Sequence, residues 1–309
     1  MKYVYGPVPS RRLGRSLGID PIPSKTCNYQ CIYCQLGKTT NLTNNRKDFY
    51  PLEEFYKEME ESINQNIERF NYITFVGSGE PTLYKSLGKL ILKAKELSKK
   101  PICVITNGSL LYQEDVKDDL ISSDVVLPTL DAGDETLFIK INRPHPSIRY
   151  EKIIQGYIDF QKEYSGKFWI EIMIMKGIND SKEELLKIKQ TLDLIQPDRI
   201  DINVPIRPPT ESWVELPDQN LLPILNDVFG DYNNIIFPEQ GKFDVFSTNF
   251  EAEIKSLLER HPMRLEQILE TFISKKFNEE NLLHQLTILE SQNKVKKVMY
   301  NNQTFWKLV

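Results

Sequence analysis

Short runs of β-branched and aromatic residues alternate along this chain with longer stretches in which apolar residues recur every three or four positions. The short runs predict strands at Ser16–Asp20, Tyr72–Val76, Ile102–Thr106, Asp124–Leu130, Phe168–Met175 and Arg199–Val204. Between them the spacing predicts helices. The first covers Leu52–Phe70, where Phe55, Met59, Ile63 and Ile67 share a face, and others cover Ser86–Lys99, Glu114–Ile121, Glu135–Ile141, Tyr150–Tyr164 and Lys182–Ile195. Strand–helix alternation of this kind predicts parallel strands covered by helices. Six strands are too few to close the eight-stranded barrel, so the expected fold is α/β, an open partial (β/α)6 barrel. In such folds ligands gather at the carboxyl ends of the strands. The turns there are Thr26–Gln35, Gly77–Thr82, Asn107–Gly108, Asp131–Gly133, Lys176–Ser181 and Pro205–Pro209.

The pattern changes near Gly241. An amphipathic run at Ile254, Leu257 and Leu258 precedes a second at Leu265, Ile268, Leu269 and Phe272, and a third at Leu282, Leu283, Leu286 and Leu289. The last segment, Lys294–Leu308, reads as a hairpin turning at Asn301–Asn302. This order is that of a small winged helix-turn-helix-like domain, which places the expected division at residues 1–240 and 241–309. Winged helices bind nucleic acid, peptides or other proteins. The segment Phe250–Val309 holds nine Lys/Arg and eight Asp/Glu, so it has no broad basic face, although Lys294, Lys296, Lys297 and Lys307 cluster near the wing.

Charge and composition narrow the classes. A formal net charge of -4 argues against bulk electrostatic binding of nucleic acid. No apolar run is long enough to cross a membrane, and no signal peptide is evident at Met1–Arg12, so a cytoplasmic protein with no membrane partner is expected. Of four cysteines, three fall at Cys27, Cys31 and Cys34, and Cys103 stands apart. Clustered cysteines in such a chain point to metal rather than to disulfides.

The spacing Cys27-x3-Cys31-x2-Cys34 allows two metal chemistries. A structural zinc site would need a fourth nitrogen or sulfur ligand, from Cys103, His145, His261 or His284. Alternatively, three thiolates hold three irons of a cubane cluster and leave the fourth open to a chelating ligand. After the second predicted strand comes Gly77-Ser78-Gly79-Glu80-Pro81-Thr82. Its glycines permit close backbone approach to a ligand, and Glu80 could accept from an ammonium group. An ordinary Gly-Pro turn is the simpler reading of that segment alone.

Together the two motifs resemble the radical S-adenosylmethionine (SAM) superfamily over about Pro7–Pro209. The resemblance implies a 4Fe-4S cluster on Cys27, Cys31 and Cys34, with the aromatic Tyr33 before the last cysteine. It implies SAM chelating the open iron through its amino and carboxylate groups. The turn Gly77, Ser78, Gly79, Glu80, Pro81 would bind the methionine amine, Asn107 would meet SAM or substrate, and Asp131 would lie near the ribose. Arg143 would meet the SAM carboxylate, Met173 and Met175 the ribose, Asn179 the adenine side, and Pro205 the adenine. Arg207 would face adenine or an anionic substrate. The implied activity is reductive cleavage of SAM to a 5′-deoxyadenosyl radical, with electrons from a low-potential donor, ferredoxin or flavodoxin.

The segment Gly6–Gly37 is most similar to that of the wyosine base-forming tRNA enzymes, but no cysteine precedes Cys27, so the second cluster found in archaeal forms cannot form here. Arg11 and Arg12, ahead of the cluster loop, suit a phosphate or carboxylate. The expected substrate is RNA, tRNA in particular. A peptide or protein docked by the C-terminal domain is the alternative. A metal-bearing DNA-binding regulator is a non-enzymatic rival, which leaves the glycine turn unexplained.

Overall fold

A computed structural model describes residues 2–218, 220–230, 233–235, 243–244, 249–273 and 277–309. Among the described residues eight strands form one sheet in chain order. They are β1 (Val4–Ser10), β2 (Gly14–Ile19), β3 (Tyr72–Phe75), β4 (Ile102–Thr106), β5 (Val125–Pro128), β6 (Lys167–Met173), β7 (Arg199–Asn203) and β8 (Asn233–Ile235). From β2 onward every neighbouring pair is parallel, while β1 pairs with β2 antiparallel. The crossovers carry α1 (Leu52–Asn66), α2 (Leu87–Leu97), α3 (Glu114–Leu120), α4 (Glu135–Asn142), α5 (Tyr150–Glu163), α6 (Lys182–Ile195) and α7 (Leu221–Phe229). The arrangement is the partial barrel expected, with the six predicted strands present as β2–β7 and one further strand at each edge.

Residues Val4–Ser10 carry no strand signal of their own because Gly6, Pro7 and Pro9 oppose one. They are tolerated because β1 is an edge strand and its register shifts between Tyr5 and Val8. Phe55, Met59 and Ile63 of α1 and Leu87, Leu90, Ile91 and Ala94 of α2 are fully buried in one core with Leu17, Ile73, Phe75 and Val104 of the strands. Each of these larger side chains, Ala94 aside, contributes about 1.5–3 kcal/mol through burial.

The C-terminal segment runs α8 (Phe250–Arg260), β9 (Met263–Arg264), α9 (Leu265–Ile273), α10 (Glu279–Ser291), β10 (Val295–Tyr300) and β11 (Gln303–Leu308). Its three strands form a separate sheet, ordered β9-β11-β10, in the winged-helix arrangement. Asn301 and Asn302, with φ of 48° and 58°, make the hairpin turn. A second core joins Phe250, Ile254, Leu257, Ile268, Phe272, Leu282, Leu286 and Trp306, and it takes in Tyr5 and Val8 of β1. The edge strand of the barrel is therefore also the seat of the C-terminal segment. The expected division between residues 240 and 241 lies outside the described residues.

Candidate active site

The cysteine loop is fastened on two sides by backbone hydrogen bonds. The Lys25 amide donates to the Ser78 carbonyl at 2.6 Å, and the Glu80 amide donates to Thr26 at 3.1 Å, joining the loop to the glycine turn. On the other side Gln30 and Ile32 donate to Asn142 and Ile141 at the end of α4, each at 3.0 Å. Cys27, Cys31 and Cys34 are half-buried and face one cavity, whereas Cys103 is buried in β4 away from it. Burial pushes the Cys27 thiol up to about 12 and raises Cys31 and Cys34 as well. A cation that stabilises thiolate is what would make this arrangement favourable. The Asn107 Nδ2 lies 3.7 Å from Cys27 Sγ and the Asn142 Nδ2 3.6 Å from Cys31 Sγ, as donors to sulfur. Among the described residues no three His, Cys, Asp or Glu side chains converge on one ion position. Three cysteines at separate corners of a cubane need no common point, so this donor set fits a cluster held at three irons.

The glycine turn is packed too tightly for any larger residue. A Cβ on Gly79 would stand 1.8 Å from the Thr26 carbonyl oxygen, and one on Gly77 would stand 1.8 Å from Asp20 Oδ1. Ser78 donates twice to Asp20 Oδ2, from its amide at 3.1 Å and its hydroxyl at 2.8 Å. Glu80 is buried, and its carboxylate accepts from the Thr82 amide at 3.0 Å, the Thr82 hydroxyl at 2.7 Å, the Thr106 hydroxyl and the Asn107 amide at 2.7 Å. Burial raises its pKa while these donors lower it. Glu80 thus ties the end of β3 to the end of β4.

A second buried carboxylate braces the next strands. Asp131 accepts from the Tyr33 hydroxyl at 2.6 Å, Asn142 Nδ2 at 2.7 Å and the Met173 amide at 2.9 Å. Burial pushes its pKa up to about 6. Asn179 is fully buried: its Nδ2 donates to the carbonyls of Asp131 and Met173 at 2.9 and 2.8 Å, and its Oδ1 accepts from the Met175 amide at 2.8 Å.

The cavity, of about 340 Å³, opens at the carboxyl ends of the strands. It is lined by the three cysteines and by Tyr33, Gly77, Ser78, Gly79, Glu80, Asn107 and Pro205 from the sequence reading. Pro81, Asp131, Arg143, Met175 and Asn179 are not in its wall. Asp131 and Asn179 stand behind the wall, Met175 is buried in the main core, and Arg143 caps α4 and pairs with Glu211. Met173 and Arg207 do line it, and Arg207 donates to Gln35 Oε1 at 2.9 Å. Arg11 and Arg12 form part of the far wall, where Arg11 donates to Asn203 Oδ1 at 2.5 Å and Arg12 pairs with Glu171. Sequence reasoning missed Arg260 and His261, brought to the wall by the end of α8. Arg260 Nε donates to Asp20 Oδ2 at 3.1 Å, and its guanidinium lies over the Tyr5 ring at 4.7 Å. No local signal marks that pair, because its partners are 240 positions apart.

The donor set on the cysteine loop and the glycine turn hydrogen-bonded to it fit the sequence family that the chain matches. The chain belongs to the radical SAM superfamily, whose sequence model matches residues 22–188. Its full-length kinship within it is with the UPF0026 proteins. It is 36% identical over 315 residues to one from Methanocaldococcus jannaschii, covering 99% of this chain and 96% of that protein. A probable dual-specificity RNA methyltransferase RlmN of Endomicrobium trichonymphae is 27% identical over 203 residues, covering 62% of this chain and 56% of that protein. Among solved structures, SuiB of Streptococcus suis bound to its precursor peptide SuiA has a TM-score of 0.52 at 18% identity, over 75% of this chain and 50% of that one, which shows a shared fold. The cofactors are those of the superfamily, a 4Fe-4S cluster and SAM, and such enzymes require an electron donor. No helix among the described residues is long and apolar enough to cross a membrane.

Proposed function

We propose that this enzyme modifies RNA, with tRNA as the expected substrate and ferredoxin or flavodoxin as the low-potential donor. When bound, the cluster and SAM supply reductive cleavage of the SAM C5′–S bond and, through it, hydrogen-atom abstraction from substrate. The residues of the chain position those groups. Cys27, Cys31 and Cys34 would hold three irons, and the Gly77–Gly79 backbone would receive the methionine amine. Tyr33, Asn107 and Pro205 would contact SAM from the cavity wall. Glu80, Asp131 and Asn179 act from behind, holding the turns that make those contacts.

The observation that carries the RNA reading is the placement of Arg11 and Arg12 in the wall of the cavity that the cysteine loop also lines. Guanidinium groups there suit an anionic or nucleobase-bearing substrate. The RNA methyltransferase relative and the wyosine-like Gly6–Gly37 segment support it. The test is mass spectrometry of nucleosides from tRNA incubated anaerobically with reconstituted enzyme, SAM and reductant. A new modified nucleoside, formed together with 5′-deoxyadenosine and missing from a deletion strain, is expected; identical tRNA pools in the deletion and parent strains would reject it.

A second reading, a protein substrate, is favoured by α10. This helix carries Glu279, Glu280 and Glu290, no Lys or Arg, and the exposed apolar residues Leu283 and Ile288. Such a face repels phosphate and suits protein contact. A mass shift in a co-purifying protein, in place of tRNA, would select this reading.

A further inference from the structure

Lys296 and Lys307 stand directly opposite each other across β10 and β11. Like charges in that register are destabilising. A third ammonium joins them: the Lys307 Nζ and Lys25 Nζ lie 4.0 and 3.9 Å from the position a Cβ would take on Gly37. Among the described residues none of the three lysines has a carboxylate in ion-pair reach, although Lys294 and Lys297 nearby are paired with Glu251 and Glu290. Burial, with Lys296 and Lys25 adding to it, lowers the Lys307 ammonium below its usual value. The fold therefore gathers three unpaired cations from two parts of the chain at one spot. That spot adjoins the last cluster ligand, since the Gly37 amide donates to the Cys34 carbonyl at 3.2 Å. Lys296 is exposed and Lys38, following Gly37, is exposed beside it in sequence.

We propose that Lys25, Lys296 and Lys307, with Lys38, form the docking surface for an acidic one-electron donor protein, so that the wing and the cluster loop together present the Cys34 side of the cluster to its reductant. Charge complementarity commits the surface to an acidic partner, and its position at Cys34 commits it to a redox partner, because electrons must enter at the cluster. Helix α10 bears no Lys or Arg, so among the described residues the wing is more cationic than the helix beside it. The inference rests on the cluster chemistry of the superfamily and is independent of the RNA reading.

Full-length reconstituted enzyme can be reduced either by a bacterial flavodoxin hydroquinone or by dithionite, a small anion that needs no docking surface. The rate of 5′-deoxyadenosine release is the readout. With flavodoxin the wild-type rate should saturate and fall as salt is added. Lys296→Glu should raise the flavodoxin concentration for half-maximal rate about tenfold, with the dithionite rate within about twofold of wild type. Lys38→Glu should act in the same direction. Unchanged flavodoxin dependence in both variants overturns the proposal. So do equal losses with both reductants, which would assign the lysines to tuning the cluster itself. Intact flavodoxin dependence with weakened retention of tRNA on a filter overturns it too, in favour of an RNA-binding wing.

Discussion

The barrel rim and the C-terminal segment reach the same cavity by different means. At the rim, buried polar groups are saturated: Glu80 accepts four hydrogen bonds, and Asp131 accepts three through its carboxylate. Each tether joins neighbouring strand ends, so the turns that face SAM are held by a continuous polar frame. The C-terminal segment packs an apolar core that it shares with Tyr5 and Val8 of β1, and it touches the site through a few polar side chains, among them Arg260, His261 and Tyr300. The rim is held by several mutually supporting contacts between strand ends, whereas the polar closure of its flank depends on single contacts. Those contacts can be removed one at a time, and the frame cannot.

The largest expected effect is at the cluster. Cys31→Ala should leave two loop ligands, abolish iron retention and reduce 5′-deoxyadenosine release to background; iron and sulfide analysis with chromatographic quantification checks this. Next comes the buried pair between the two regions. Arg260→Ala leaves the nearly fully buried Asp20 carboxyl without its cation, and should cost about 3–5 kcal/mol in urea unfolding. The same variant should also weaken SAM binding, because Asp20 holds Ser78. Adding Asp20→Asn should return part of the stability, a coupling that a double-mutant cycle resolves.

A pH experiment sharpens the comparison on the barrel side. Asp131 has a usual value of 3.8 and is pushed up to about 6 by burial, so the folded state keeps its proton over a range in which the unfolded state loses it. Its contribution is fully present below about pH 4 and is lost as pH rises through about 6, a change of about 3 kcal/mol. In cluster-free protein the stability of wild type relative to Asp131→Asn should therefore fall across that window. A constant difference would show that Asp131 titrates normally. The smallest effect is on the tail side: Tyr300→Phe removes the 2.7 Å hydrogen bond to the Pro205 carbonyl and should cost about 1 kcal/mol.

Much of this architecture is legible along the chain. The six parallel strands and the helices between them follow from periodicity, and Asn301–Asn302 marks the wing turn because Asn tolerates positive φ. The three cysteines and the glycine turn carry their chemistry in their spacing. What was hidden depends on partners far apart. Pro7 and Pro9 disguise β1, whose strand character comes from pairing with β2 and from supporting the second core. Asp20 reads as a strand end until Arg260 meets it. Glu80 reads as a ligand for an ammonium group until Thr82, Thr106 and Asn107 occupy its oxygens. Arg143 and Met175 sit in turns and strands that resemble binding segments, yet the fold directs one to Glu211 and the other into the main core.

The most direct test of the account is product analysis on anaerobically reconstituted protein supplied with dithionite and SAM. Release of 5′-deoxyadenosine and methionine in equal amounts, lost in Cys31→Ala, is the predicted result. An intact 4Fe-4S cluster that leaves SAM uncleaved would contradict it.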